Sequence, residues 1–369
     1  MTFAVVTGGG TAGHVLPALA VAEALVERGH PAEDIHYIGA QRGIETRLVP
    51  PSGFPYTFLD VVGVQRHLDR ANLSFPLKLF RATRHATALL RTLAPRVVVS
   101  VGGYASLPAV LAARRLRIPI VVVSYDRRPG RATQVAAHFA AASAVAFPGS
   151  TLPRAQLTGA PLRRTVLQVD PVRDRAPARL ELGLPADRFV LVVAGGSLGS
   201  GALNEVVRAY VARSSDRSDL AVYHIVGERF LATYAEGATG GWGEGGILYV
   251  VIGYEERMPQ AYAAADLVLA RAGASTVAEL GAIGVPSILV PWPGAAGDHQ
   301  TDNARALASS GAAVLLPESE LTAARLVAEV DALQGDPAAL PAMAEAARTA
   351  GRIHHGGRLV ELIEEVAGG

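Results

Sequence analysis

Four short segments of this chain combine glycine with small polar residues in the pattern that anion binding needs. They are Gly8-Gly9-Gly10-Thr11-Ala12-Gly13-His14, Gly102-Gly103-Tyr104-Ala105-Ser106, Gly195-Gly196-Ser197-Leu198-Gly199-Ser200 and Ala272-Gly273-Ala274-Ser275-Thr276. Glycine lets the backbone come close to a charged guest, and a helix that starts from such a turn aims its free N–H groups and the positive end of its dipole at the same point. A phosphate is the natural guest. Two such loops in the first half of the chain suit one guest with two phosphates.

Several side chains beside these loops could do more than bind. His14, at the mouth of the first loop, is either a structural helix-start residue or a proton-handling group beside a reacting centre. Glu279 falls one turn into the helix after the fourth loop. Its carboxylate is either solvated or placed to accept two hydrogen bonds from vicinal sugar hydroxyls, as acidic residues do with nucleotide ribose. His299 and Gln300, after the run Gly294-Ala295-Ala296-Gly297-Asp298, offer donors and acceptors on a loop expected to face the same crevice.

Composition narrows the chemistry. The chain has no cysteine, which excludes disulfides, thiolate metal sites and cysteine nucleophiles and fits a reducing cytoplasm. No D-x-D motif supplies paired carboxylates for a metal on a diphosphate, so no metal or other cofactor is expected, and amides at helix starts must neutralise the charge. A formal net charge of +1 argues against a nucleic-acid partner. The N-terminal stretch lacks a basic leader region, and no run reaches the roughly 18 apolar residues of a spanning helix, so a soluble or peripheral protein is expected.

At 369 residues, two domains are the default. In the first half, strands are expected at residues 3–7, 36–39, 56–61, 97–101, 118–123 and 144–147, with helices from the first loop to about Arg28, over 75–93 and over 107–116. In the second half, strands are expected at 189–194, 248–252, 267–270 and 287–290, and the helix after Thr276 should stop near Gly284-Val285-Pro286. Alternation at this spacing marks doubly wound α/β domains, whose apolar runs are strands buried on both faces of parallel sheets. Gly8, Gly10 and Gly13 fit the G-x-G-x-x-G spacing of dinucleotide binders, but no acidic residue ends the next strand at Gly39.

The runs RAGAST, VAEL, GAIGVP, ILVPWP and DHQTDNA in the second half, with GGGTAGHVLPALAVAEAL at the start, closely resemble the MurG family of bacterial glycosyltransferases. Those enzymes place N-acetylglucosamine on the lipid-linked muramoyl-pentapeptide precursor of the cell wall. The resemblance runs nearly end to end. It implies an α/β fold of GT-B type, two doubly wound Rossmann-like domains facing a central cleft. Residues 1–163 would face the acceptor and the membrane, with residues 353–369 packing back on them, and residues 164–352 would bind UDP-N-acetylglucosamine. On the donor side it implies Thr11, Ser197, Tyr254 at the uracil segment, Thr276, Glu279, His299 and Gln300. Arg163 joins them, in a segment matching the family's G-N-P-V-R with Ala160 in place of Asn. On the acceptor side it implies Gly10, Gly13, Gly103 and Tyr104 beside the undecaprenyl diphosphate, with His14 near the reacting hydroxyl.

Between Val64 and Arg96 the cations are Arg66, Arg70, Lys78, Arg81, Arg84, Arg91 and Arg96 against one acid, Asp69. Phe75, Leu77, Leu79 and Phe80 are interleaved with them. Phe75, Leu77, Lys78, Phe80, Arg81 and Arg84 could rest on an anionic membrane at its cytoplasmic face, or form an ordinary basic surface. One segment departs from the family: Val123-Ser124-Tyr125-Asp126 stands where the family reads His-Glu-Gln-Asn, although Pro129-Gly130 is kept. Asp126 is expected either to pair with His14 and raise its pKa or to contact the acceptor directly. Two other classes stay open: an epimerase acting on the same donor, and a non-catalytic lipid- or nucleotide-binding relative.

Overall fold

The computed structural model describes residues 2–61, 75–235 and 245–368. The chain divides into two compact units, Met1–Arg164 together with Ile353–Gly369, and Thr165–Arg352.

Unit 1 is built on one parallel sheet in the order β3-β2-β1-β4-β5-β6-β7. Its strands are β1 Ala4–Thr7, β2 Ile35–Ala40, β3 Tyr56–Leu59, β4 Val97–Ser100, β5 Ile120–Ser124, β6 Ala142–Val145 and β7 Ala155–Leu157. The central strands are Val- and Ile-rich and buried along their whole length, which is what a parallel sheet covered on both faces selects. β5 starts two residues later than its apolar run. The Ile118 amide is taken by the Ala113 carbonyl, so Ile118 closes the preceding helix, with Arg117 in the left-handed conformation. β6 likewise starts at Ala142, two residues earlier than expected, because an alanine run carries little period to place its ends.

Unit 2 repeats the arrangement in six parallel strands ordered β10-β9-β8-β11-β12-β13. These are β8 Phe189–Ala194, β9 Leu220–Ile225, β10 Leu248–Ile252, β11 Leu267–Arg271, β12 Ser287–Val290 and β13 Ala313–Leu315. In each sheet the chain winds outward on one side of its first strand and returns to start again on the other. The crevice at that reversal, outside the carboxyl ends of the strands, is where such sheets bind ligands. The glycine loops leave β1 and β4 in unit 1, and β8 and β11 in unit 2. All four therefore sit at switch points.

The helix Phe75–Leu93 turns Ala82, Ala86 and Leu90 into the unit 1 core against Ala109, Val110 and Ala113 of the helix Leu107–Leu116. Its other face leaves Leu77 54% and Phe80 59% exposed, with Arg81 and Arg84 exposed and Lys78 half-buried. Arg66, Asp69 and Arg70 lie outside the described residues, as does the Phe75 side chain. No helix among the described residues is long and apolar enough to cross a membrane. The C-terminal helix Arg358–Gly368 belongs to unit 1, where Leu359, Val360, Leu362 and Ile363 are buried. Its Glu364 meets Arg28 at 3.4 Å and His30 at 3.1 Å.

Candidate functional site

In unit 1 the first two glycine loops pack backbone against backbone, because β1 and β4 are neighbours in register from Ala4 opposite Val97 to Thr7 opposite Ser100. Gly103, at φ 79°, lies so close to the Gly9 carbonyl that any side chain there would overlap it. Gly10 and Gly13 are exposed on the first loop and Tyr104 is exposed on the second. His14 lies in the first turn of the helix Ala12–Glu27, and its Nδ1 lies 3.0 Å from the Thr11 hydroxyl. The ring's other edge faces Gly102: a Cβ built there would lie 3.1 Å from His14 Cδ2 and 3.1 Å from the hydroxyl of buried Thr133.

Burial lowers the His14 pKa, and the charges of Asp126 and Glu45 push it back up without overcoming that cost. Asp126 therefore acts in the expected direction, toward a higher pKa, but burial outweighs it and the net shift is downward. Thr11 holds the imidazole, and half-buried Asp126 acts only through its field. Glu45, which the sequence reading missed, is fully buried and accepts hydrogen bonds from the Gly10 and Ala40 amides. The one sequence signal was an acid two residues after Gly43, in the turn that follows the strand ending near Gly39.

Arg163 also belongs to unit 1. It is half-buried, its Nε has no hydrogen-bond partner, and its charge acts on Glu23 of the helix Ala12–Glu27.

In unit 2 the third loop closes on the end of β9, with Gly199 at φ 68° pressed against the Val226 carbonyl and Gly227. Ser197 is exposed at its tip, and Ser200 caps the helix Gly201–Arg213. The fourth loop opens the helix Ala274–Ile283, which ends at Gly284 in the left-handed conformation. Thr276 and Glu279 are half-buried, and one Glu279 oxygen accepts from the Tyr262 hydroxyl at 3.0 Å. Buried Asn303 donates to the Ala272 carbonyl and so ties the helix His299–Ala308 to the fourth loop. Gln300 uses its side-chain oxygen to accept from the Trp292 amide at 2.9 Å, which leaves its NH₂ group to act. His299 and Tyr254 are half-buried after β12 and β10. Ser197, Tyr254, Thr276, Glu279, His299 and Gln300 thus fall at the carboxyl ends of one sheet, whereas Thr11 and Arg163 belong to unit 1.

Two parallel units with glycine loops at both switch points are the architecture of GT-B glycosyltransferases, the class that fold and loops define. Residues 4–145 match the glycosyltransferase family 28 N-terminal domain, and residues 190–355 match the family 28 C-terminal domain. Over 374 residues the chain is 39% identical to the UDP-N-acetylglucosamine–N-acetylmuramyl-(pentapeptide) pyrophosphoryl-undecaprenol N-acetylglucosamine transferase of Desulforudis audaxviator, covering 99% of this chain and 98% of that one. The crystal structure of Acinetobacter baumannii MurG superposes with a TM-score of 0.73 at 27% identity, over 99% of this chain and 100% of that one. The chain belongs to the MurG family. A UDP-N-acetylglucosamine 2-epimerase from Neisseria meningitidis also superposes, at TM-score 0.67 and 11% identity over 99% of each chain, which is a likeness of fold alone.

Proposed function

We propose that the chain transfers N-acetylglucosamine from UDP-N-acetylglucosamine to the 4-hydroxyl of a muramoyl-pentapeptide linked through a diphosphate to undecaprenol, with inversion at the anomeric carbon. The observation that carries this reading is His14, held by Thr11 at the mouth of paired glycine loops, in a chain 39% identical end to end to an enzyme of that name. With Nδ1–H donating to Thr11 Oγ1, the Nε2 lone pair is free to take the acceptor proton. The acceptor oxygen then bonds to the anomeric carbon as its bond to the β-phosphate oxygen breaks. That electron pair leaves with UDP.

Unit 1 takes the acceptor through Gly13, Gly103 and Tyr104, and unit 2 takes the donor. Amides at the third and fourth loops, with Ser197 and Thr276, neutralise the leaving diphosphate without a metal. Glu279 receives the ribose, Tyr254 flanks the uracil, and His299 and Gln300 contact the sugar. The exposed face of Leu77, Phe80, Arg81 and Arg84 supports peripheral attachment at the cytoplasmic face of an anionic membrane.

Turnover with donor and a lipid-diphosphate acceptor tests the proposal. A disaccharide formed only when both are present is expected. Epimerised donor in the absence of acceptor, or no product from either, overturns it.

A further inference from the structure

We infer that Glu45 is a positioning residue for this transfer: its carboxylate is the built-in anion of the first glycine loop, fixing the loop's backbone and setting a negative charge in the field of His14. The inference rests on the reading of His14 as proton acceptor.

Glu45 opens the short helix Glu45–Leu48 after β2 and is 0% exposed. Both of its oxygens accept from the Gly10 N–H at 3.2 Å, and Oε1 also accepts from the Ala40 N–H at 3.1 Å. Two glycines make room for it: a Cβ on Gly9 would lie 2.6 Å from Oε1, and one on Gly43 would overlap Oε2. Among the described residues no cation stands within ion-pair distance of it. A carboxylate removed from water without a cation persists only where hydrogen bonds satisfy it. Here they come from the loop itself.

In dinucleotide-binding folds the amides of this loop face a pyrophosphate, and an acid at the end of the second strand faces a ribose. In this chain the acid comes later, from the turn after β2, and reaches back to the loop. The Gly10 N–H is therefore spent on an internal anion, and a substrate phosphate must find its donors elsewhere. Gly9, pinned beside the carboxylate, also sets the carbonyl against which Gly103 packs. One group thus fixes both loops.

Two charged groups act on His14, Asp126 from the turn after β5 and Glu45 from the turn after β2; Thr11 and Thr133, its other neighbours, are uncharged. Both carboxylates favour the imidazolium. Removing either should make His14 a weaker base.

Glu45→Gln keeps the shape and removes the charge. The His14 titration, followed by NMR in the folded full chain, should fall by about half a unit or more, and the acid limb of the pH–rate profile should move down with it. The acceptor KM should rise about fivefold or more while the donor KM holds. A His14 that titrates as in the parent overturns the inference. If Glu45→Gln does not fold, Glu45→Asp keeps the charge on a shorter stem. It should leave the His14 titration near the parent's and still raise the acceptor KM, and a parent-like acceptor KM in it overturns the inference. An acid limb that survives His14→Asn would remove the reading of His14 as base, a result independent of the NMR shift.

Discussion

The buried guanidinium of Arg271 donates to the Ser200 hydroxyl, 2.7 Å from Nη2 and 3.2 Å from Nε. Ser200 follows the third glycine loop and Arg271 ends β11, so the bond joins the two anion-ready loops of unit 2. The same guanidinium reaches the Val290 and Pro291 carbonyls at 3.3 and 3.2 Å and pairs with Glu318. One side chain thus gathers the ends of β8, β11 and β12 and the segment after β13.

Arg271→Met should therefore cost more than its size suggests. It strands Glu318 and two buried carbonyls, and losing one partner of a buried pair typically costs about 3–5 kcal/mol. Urea unfolding is expected to show a loss of that order, and a loss below about 1 kcal/mol would remove Arg271 as the organiser of this edge.

What the sequence made legible were the residues whose role is local. Glycine at a strand end announces a positive φ or a close approach, and Gly103 against Gly9 and Gly199 against Val226 show both. Glu45 and Arg271 stayed hidden because their partners are remote: Gly10 lies 35 positions from Glu45, and Ser200 lies 71 from Arg271. Only the strand order puts β2 beside β1 and β11 beside β8. β9 went unmarked because His224 breaks its apolar run, and that histidine is satisfied by Asn204 and Tyr249, which are also distant.

The Tyr262–Glu279 bond makes the ribose assignment more specific. Glu279→Ala should weaken UDP-N-acetylglucosamine binding by removing hydrogen bonds to a charged group worth about 1.5–3 kcal/mol each. Tyr262→Phe removes only the hydroxyl that orients the carboxylate, so it should weaken the donor by about tenfold or less. Donor affinity within about twofold of the parent in Glu279→Ala, measured by calorimetry, would take the ribose away from this helix.

Reversing Lys78, Arg81 and Arg84 to Glu should weaken binding to anionic vesicles by about 1 kcal/mol per lost cation. Activity on a short-chain acceptor in detergent should hardly change. Equal vesicle binding by mutant and parent would assign the exposed face of this helix to something other than lipid.

His224 lies fully buried, and burial holds its pKa down at about 3, below the 6.5 of an unfolded histidine. The unfolded chain therefore binds the proton first as pH falls. Stability supplied by the neutral His224 is intact above pH 6.5 and declines below it, by about 1.4 kcal/mol per pH unit, until the folded pKa near 3 is reached. Chemical denaturation between pH 7 and pH 4 should show this slope on top of those of the half-buried His14, His36 and His354, whose pKa values burial also lowers, and His224→Gln should flatten it. A slope unchanged by that substitution would place the acid sensitivity elsewhere.

The sharpest test of the chemistry lies in Asp126, which stands where the family carries Asn. His14 must be neutral to take a proton, so activity should fall as pH drops through its pKa. Asp126 favours the protonated form, and burial opposes it more strongly. Asp126→Asn should accordingly move the acid limb to lower pH and leave the rate at neutral pH nearly unchanged. His14→Asn should cut turnover by about 10²–10⁴-fold, the usual worth of a general base, while donor binding to unit 2 survives. If Asp126→Asn abolishes turnover and His14→Asn spares it, the two roles are reversed and the carboxylate is the base. A limb that neither substitution moves would show that the proton goes to a third group.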